Sequence, residues 1–599
     1  MNRRPQYYIE AETLRANSAQ WDAYNSYGHT VVLAGPGSGK TKVLVTKVAR
    51  MLHEDVHAPR GIACVTFSNE CARELERRFT ALGLTNQENL FIGTVHTFCL
   101  QHIIIPYARL AGLAIPTPIA VAKSNDRRAA LGEALASIGR KQNPENFLDD
   151  FKSMRRLYLG PERENNRLSE DDIRIIQAYE EALRRRGLID FDDMIILGLQ
   201  LIDRHVWVRN LLFSRFPILV IDEYQDLGVA LHLIVERLCF EAGMRLFAVG
   251  DWDQSIYGFM GAQPDLLEQL SNRPDVKRIQ LSLNYRCSTK IVEASQVALA
   301  EPRNYRTPEN AEEGVIHFYQ LGSNAIEQAR GICAQIIPEV LQYRLGRKLG
   351  DIAILYPNVK YGDAMAQAAT AAGYAYTRLD PRSTYRKTRL TRWIEQCAIW
   401  CSGGWKIAQP RLNGLMYKWM GWNTRINSHT QQVTLQRQLS TFLWNHRDPE
   451  EKLTDWLNDL IFRCLRPMFQ RQPELAEDRD ALVQLFNACK PEKPFANFTV
   501  GQFASQYGAP DHLNLITLHS AKGCEFDSVI MMGIDKGVLP NWRIKSVEGK
   551  QEARRLFYVG ITRAKHDIHL ICCDGGTNQQ GYQTGPSELI IELFEKLEK

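Results

Sequence analysis

Within the eight residues Ala34-Gly35-Pro36-Gly37-Ser38-Gly39-Lys40-Thr41 stand three glycines, a lysine and two hydroxyls. Phosphate oxygens are bound by backbone N–H groups converging on one point, and only a glycine-rich turn lets the chain come so close. Lys40 adds a point charge and Thr41 a hydroxyl that can ligate magnesium. Gly35, Pro36, Gly37, Ser38, Gly39, Lys40 and Thr41 are therefore expected to hold the phosphates of ATP. A second grouping, Asp222-Glu223-Tyr224-Gln225-Asp226, sets two carboxylates side by side. Asp222 is the candidate partner of Thr41 on Mg2+, and Glu223 the candidate base that takes a proton from the attacking water, the two tasks nucleotide hydrolysis requires.

Both groupings need a scaffold. The run Thr30 to Leu33 reads as a buried strand, and Val43, Leu44, Val48, Met51 and Leu52 recur at helical spacing behind the glycines, which gives strand, loop and helix. Ile218 to Ile221 reads as another buried strand, so Asp222 and Glu223 emerge at a strand's carboxyl end, where α/β sheets bind ligands. A lone glycine loop is often an ordinary turn and acidic residues after a strand are often helix caps. The two together favour the nucleotide site.

From here the residues resemble one family, the UvrD/Rep/PcrA-like superfamily 1 helicases, motif by motif along nearly the whole chain. Gln20 is similar to the family's adenine-reading glutamine. Ala63 to Glu70 (with Phe67 and Asn69), Gly93 to Phe98 (with Thr94 and His96) and Ile189 to Asp193 (with Phe191) resemble its strand-contacting segments. Val249 to Phe259 resembles its coupling motif, in which Gln254 would sense the γ-phosphate while Tyr257 and Phe259 touch bases. Asn284-Tyr285-Arg286, Thr517 to Phe526 (with His519 and Glu525) and Glu552 to Lys565 complete the series. The resemblance implies that Tyr285 stacks on adenine, that Glu525 belongs to the nucleotide site, that His519 contacts the nucleic acid, and that Arg286 and Arg563 reach the γ-phosphate from the second motor domain. Arginines delivered by a moving domain stabilise spreading phosphoryl charge only when the cleft closes, which couples hydrolysis to motion.

The resemblance also implies an α/β fold of two RecA-like P-loop motor domains with parallel sheets, each interrupted by a mainly helical insertion. The expected boundaries are 1–98 with 196–275 for the first motor, 99–195 for its insertion, 276–380 with 505–599 for the second motor, and 381–504 for a short second insertion. That last segment holds seven of the eleven tryptophans, and nine lysines and arginines stand against one acid between Arg382 and Arg425. Basic side chains interleaved with aromatics suit a nucleic-acid surface, and tryptophans at helical spacing equally suit a core. The chain departs from the family in four places. Ala34 replaces a glycine, Phe259 a tryptophan and Met260 an arginine, and the second insertion is short, without the hairpin signature for gripping duplex.

Composition sets outer limits. At 599 residues the chain needs several cores, and no apolar run approaches a membrane span. Arg3 and Arg4 have no apolar stretch behind them, so the expected location is the cytoplasm. Thirteen cysteines without a CxxC pair read as buried packing groups, not as a disulfide framework or zinc site. The net charge of +5 is mild, so nucleic-acid contacts must come from local clustering. The expected activity is ATP-driven translocation on single-stranded DNA with 3′ to 5′ polarity, the polarity coming from the resemblance, with hydrolysis in the cleft between the motors. The alternative is a DNA-stimulated regulatory ATPase that controls a partner nuclease. Expected partners are single-stranded or tailed duplex DNA and, by analogy with the compact helicase subunits of Gabija-type defence systems, a separate nuclease.

Overall fold

The computed structural model describes residues 6–597 apart from 85–88, 114, 117–118, 160–167, 259–260, 381–383, 387, 408–409, 424–427, 472–474, 492, 494, 505–510 and 578–582. The chain forms two compact units, Met1–Glu312 with Lys545–Tyr558, and Glu313–Ile544 with Val559–Lys599.

The first unit is built on six strands, β1 His29–Ala34, β2 Ile62–Thr66, β3 Leu90–Thr94, β4 Ile218–Ile221, β5 Arg245–Gly250 and β6 Val276–Leu281. They lie in the order β3-β2-β4-β5-β1-β6 and every neighbouring pair is parallel. Continuous apolar runs, without polar alternation, make such strands because both faces are covered. Val31, Leu33, Val65 and Ile221 enter one core, while Val32, Ala34, Cys64 and Val220 enter the other. Helix α1 (Ser18–Asn25) precedes β1, and α2 (Lys40–Glu54) follows it with Val43, Leu44, Val48, Met51 and Leu52 buried. Because all six strands run the same way, the loops after them gather along one edge of the sheet. Every described sequence-predicted site residue of this unit outside the amino-terminal segment and residues 189–193 lies at or follows one of these strand ends.

The expected boundary at residue 275 falls one strand early, since β6 pairs with β1 over Val276 to Leu281. Asn284, Tyr285 and Arg286 consequently belong to the first unit. Three helices, α3 Ser124–Ser137, α4 Pro144–Leu157 and α5 Glu170–Arg185, close on a separate core that includes Leu131, Leu135, Phe151, Ile176 and Tyr179. Arg155 of α4 is buried and ion-paired to Glu180 at 2.6 Å and to Asp193. Helix α6, Thr289–Leu299, follows β6.

The second unit repeats the plan. Strands β7 Val315–Gln320, β8 Ile352–Tyr356, β9 Tyr376–Leu379, β10 Leu513–Thr517, β11 Phe526–Met531 and β12 Ala564–Cys572 form a parallel sheet in the order β9-β10-β8-β11-β12-β7. Two parallel sheets in one helix-rich chain give the expected α/β class. Between β9 and β10 lie α7 Arg389–Ile399, α8 Leu412–Gly421, α9 His429–Asn445, α10 Leu453–Leu460 and α11 Ala476–Ala488. Trp393, Trp400, Trp419, Trp422 and Trp456 are buried among these helices, whereas Trp444 is 56% exposed. Five of the seven tryptophans are thus core, and the basic charge lies apart from them, with Arg386 and Arg389 exposed and Lys387 outside the described residues. Helix α12, Val547–Ile561, starts in the first unit and ends in the second. Eleven of the thirteen cysteines are buried, and none is joined in a disulfide. Among the described residues no helix is long and apolar enough to cross a membrane.

Candidate nucleotide site and nucleic-acid interface

The glycine loop connects β1 to α2. Gly37 and Gly39 have φ of 66° and 82°, a region that costs any residue with a Cβ. Space forbids a side chain as well. A Cβ on Gly37 would stand 2.3 Å from Asn284 Oδ1, and one on Gly39 2.7 Å from Gln20 Nε2. Gln20 is buried and donates to the Ser38 carbonyl at 2.8 Å, so part of its amide is committed to the loop. Asn17 caps α1 by accepting from the Ala19 and Gln20 amides, and its own amide donates to the Tyr285 hydroxyl at 3.1 Å. Tyr285 is 49% exposed, which leaves its ring available for stacking, and its N–H donates to the Gly37 carbonyl at 2.9 Å. Arg286 follows it on the same unit as the loop, not on the second unit as the resemblance implied.

Lys40 Nζ is buried with no hydrogen-bond partner among the described residues and stands 3.8 Å from Glu223 Oε1. A buried ammonium costs free energy until an anion meets it, and a phosphate at the loop supplies one. Thr41 lies in the first turn of α2. Asp222 follows β4, with its N–H donating to the Val65 carbonyl at 3.0 Å. Burial, followed by the neighbouring Glu223 charge, pushes the Asp222 carboxyl up to about 7, against the pull of Lys40. A divalent cation at that oxygen would favour the ionised form. One carboxylate and one hydroxyl suit Mg2+, which keeps water and phosphate oxygens for its other positions. Glu223 is held at φ 56°, one of two described non-glycine residues with positive φ. Such strain persists where the surroundings impose it.

A hydrogen-bonded chain leads away from Glu223. Buried Gln225 donates from Nε2 to Glu223 Oε2, and its Oε1 accepts the Asp251 N–H at 2.8 Å. Asp251 Oδ2 accepts from Gln254 Nε2 at 2.7 Å. The candidate base and the candidate γ-phosphate sensor are therefore joined through the Gln225 side chain and through Asp251, which uses its backbone N–H on one side and its carboxylate on the other. Sequence reasoning quoted Gln225 and Asp251 without assigning them roles. It missed Arg303 and Tyr305 entirely, both of which reach Asp253, and no local motif marks them.

The strand-contacting candidates divide. Phe67 stacks on Tyr257 with centroids 5.8 Å apart, and His96 stacks on Phe191 at 3.9 Å. Phe191 is 48% exposed, so its ring can meet a base. Burial pushes the His96 imidazole down to about 4. Thr94 caps the turn after β3, its hydroxyl accepting the Thr97 N–H at 3.2 Å. Asn69 opens the helix after β2, its side chain being outside the described residues, as are Phe259 and Met260.

On the second unit, burial lowers the His519 imidazole below its ordinary value. Glu525 is ion-paired with Lys565 at 2.9 Å. Arg563 is 1% exposed, and its guanidinium donates to the Val559 carbonyl at 2.9 Å, the Cys524 carbonyl at 3.1 Å and the Thr562 hydroxyl at 3.0 Å.

Residues 16–275 match the UvrD/REP helicase N-terminal domain and residues 496–575 the UvrD-like helicase C-terminal domain. The chain belongs to the UvrD-like helicase family. Members of this family are ATP hydrolases, and the phosphate loop, Glu223 and Gln254 occupy the first of its two domain matches. The chain is similar to the ATP-dependent DNA helicase PcrA of Bacillus subtilis (strain 168), with 26% identity across 98% of this chain and 88% of the relative. It is also similar to the PcrA helicase of Staphylococcus aureus (strain MRSA252), with 23% identity across 91% and 81%, and to that of Staphylococcus epidermidis, with 24% identity across 92% and 83%.

Proposed function

We propose that this UvrD-like helicase is an ATP-driven motor that translocates 3′ to 5′ on single-stranded DNA and parts the duplex ahead of it. The observation that carries the reading is the chain Glu223–Gln225–Asp251–Gln254 beside the buried Lys40 ammonium. Lys40 and the loop amides bind the β- and γ-phosphates, Thr41 and Asp222 hold Mg2+, and Mg2+ neutralises phosphate charge when bound. Glu223 accepts the proton of the attacking water. Gln254 registers the γ-phosphate, and three residues along from it Tyr257 stacks with Phe67, so loss of phosphate and movement of a base contact are linked through one short segment. Arg286 and Arg563 supply cations to the transferring phosphoryl group, and Tyr285 stacks on the adenine.

The experiment measures ATPase rates of the full chain with single-stranded DNA, duplex DNA and RNA in parallel, together with unwinding of duplexes carrying a 3′ or a 5′ tail. Strong stimulation by single-stranded DNA and unwinding only from the 3′ tail are expected. Stimulation without unwinding from either tail would favour the regulatory ATPase, and no DNA-dependent hydrolysis would overturn the motor reading.

A further inference from the structure

Asp253, the residue before Gln254, is 1% exposed and its carboxylate is claimed from one side. Arg303 binds it with both arms of its fork, Nε to Oδ2 at 2.8 Å and Nη2 to Oδ1 at 2.7 Å. The Tyr305 hydroxyl donates to Oδ2 at 2.7 Å. The ring of Tyr305 closes on the glycine loop, because a Cβ on Gly35 would lie 2.5, 2.8 and 3.0 Å from three of its atoms. One buried tyrosine therefore touches the phosphate loop with its face and the γ-phosphate segment with its hydroxyl.

The strap that carries this tyrosine is fixed at both ends. The Arg306 N–H donates to the Ser282 carbonyl at 2.9 Å, and the Asn284 N–H to the Arg306 carbonyl at 2.7 Å. Asn284 is the residue whose Oδ1 presses on Gly37. On the far side Arg303 pairs with Glu301 at 2.5 Å, and Glu301 accepts from Gln551 Nε2 of α12 at 2.6 Å. Helix α12 runs on in sequence to Thr562 and Arg563.

We propose that Tyr305, steadied by Arg303, is a positioning residue that locks the glycine loop to the Asp251–Gln254 segment, so that phosphate occupancy and the setting of Gln254 change together. The bidentate guanidinium already satisfies the Asp253 carboxylate, so folding does not require the phenolic hydroxyl. Its distinctive effect is to tie the two segments. This inference rests on the ATPase reading above.

The test compares wild type with Tyr305→Phe, which keeps the ring against Gly35 and removes only the hydroxyl. At saturating DNA, kcat is expected to fall roughly tenfold or more, as for a hydrogen bond to a charged group, with KM for ATP within about twofold. The ratio of single-strand affinities with and without a non-hydrolysable ATP analogue should collapse toward one, which a merely structural residue would not cause. Arg303→Lys should act in the same direction, and Asp253→Asn should add little to Tyr305→Phe because both break one link. Gly35→Ala attacks the contact from the loop side and should reproduce the kcat loss. Wild-type kcat and an undiminished affinity ratio in Tyr305→Phe, with Glu223→Gln inactive in the same assay, would overturn the positioning role while leaving the ATPase reading intact. A wild-type chain that hydrolyses no ATP would instead remove the reading beneath it.

Discussion

The Lys40 ammonium and the Glu223 carboxylate stand 3.8 Å apart, 12% and 16% exposed, close enough to attract and too far to hydrogen-bond. A cation held at that distance from its neighbour is set for a third group, the phosphate chain. Glu223→Gln keeps the shape and removes the base, so turnover should fall by roughly 10²–10⁴-fold while ATP binding stays near wild type. Lys40→Ala should weaken nucleotide binding itself. Single-turnover hydrolysis paired with equilibrium nucleotide binding separates the two, and wild-type turnover in Glu223→Gln would remove the base assignment.

Arg563 spends donors on the carbonyls of Val559 and Cys524, which fixes the guanidinium in one direction. Arg563→Ala should lower kcat by roughly 10³-fold, as for arginines that stabilise a transferring phosphoryl group, with a much smaller change in ATP affinity. Lysine should not rescue it, because a point charge lacks the fork. Unchanged turnover at saturating ATP and DNA would take Arg563 out of the site.

The two stacked pairs make a prediction about grip. Phe191→Ala and Tyr257→Ala should each weaken single-strand binding by about 1–3 kcal/mol, and Tyr257→Ala should also blunt the stimulation of hydrolysis by DNA. Neutralising exposed Arg386 and Arg389 should reduce affinity in proportion to counterion release, seen as a shallower dependence on salt. A salt slope identical to wild type would show that these arginines meet no phosphates.

His96 sets a pH dependence. Its imidazole titrates near 6.5 in the unfolded chain and is pushed down to about 4 by burial in the fold. Between those values the unfolded chain binds the extra proton, so stability is complete above about 6.5 and is lost as pH falls toward 4, by about 2 kcal/mol at pH 5. Urea midpoints from pH 7.5 to 5 should therefore fall less steeply for His96→Gln than for wild type. Parallel curves would mean that the imidazole protonates freely in the folded chain.

The phosphate loop, Asp222 and Glu223 were legible because their chemistry is local. Strand, loop and functional residues lie within about a dozen positions, and apolar runs announce the flanking elements. Arg303 and Tyr305 were not, because their contacts with Asp253 cross about fifty residues and depend on how a strap folds back after α6. The tryptophans of the second insertion were ambiguous for a different reason. Helical spacing tells which residues share a face and not whether water or protein covers it. The boundary at residue 275 came from the resemblance and not from the residues, and Val276–Leu281, whose Lys277 and Arg278 are exposed, is the edge strand of the first sheet.

In the second insertion, the rings of Trp393 and Trp419 lie nearly parallel with centroids 5.5 Å apart, and Trp422 meets Trp393 edge-on at 5.5 Å. Chromophores this close share excitation, so the ultraviolet emission of Trp393, Trp419 and Trp422 depends on the packing that holds them together. Melting followed by the emission of these rings reports when the small helical body between β9 and β10 opens, because that is the core they are buried in. Lys40→Ala should leave the emission spectrum unaltered, whereas a polar residue at Trp419 should shift it to the red without a nucleotide in sight.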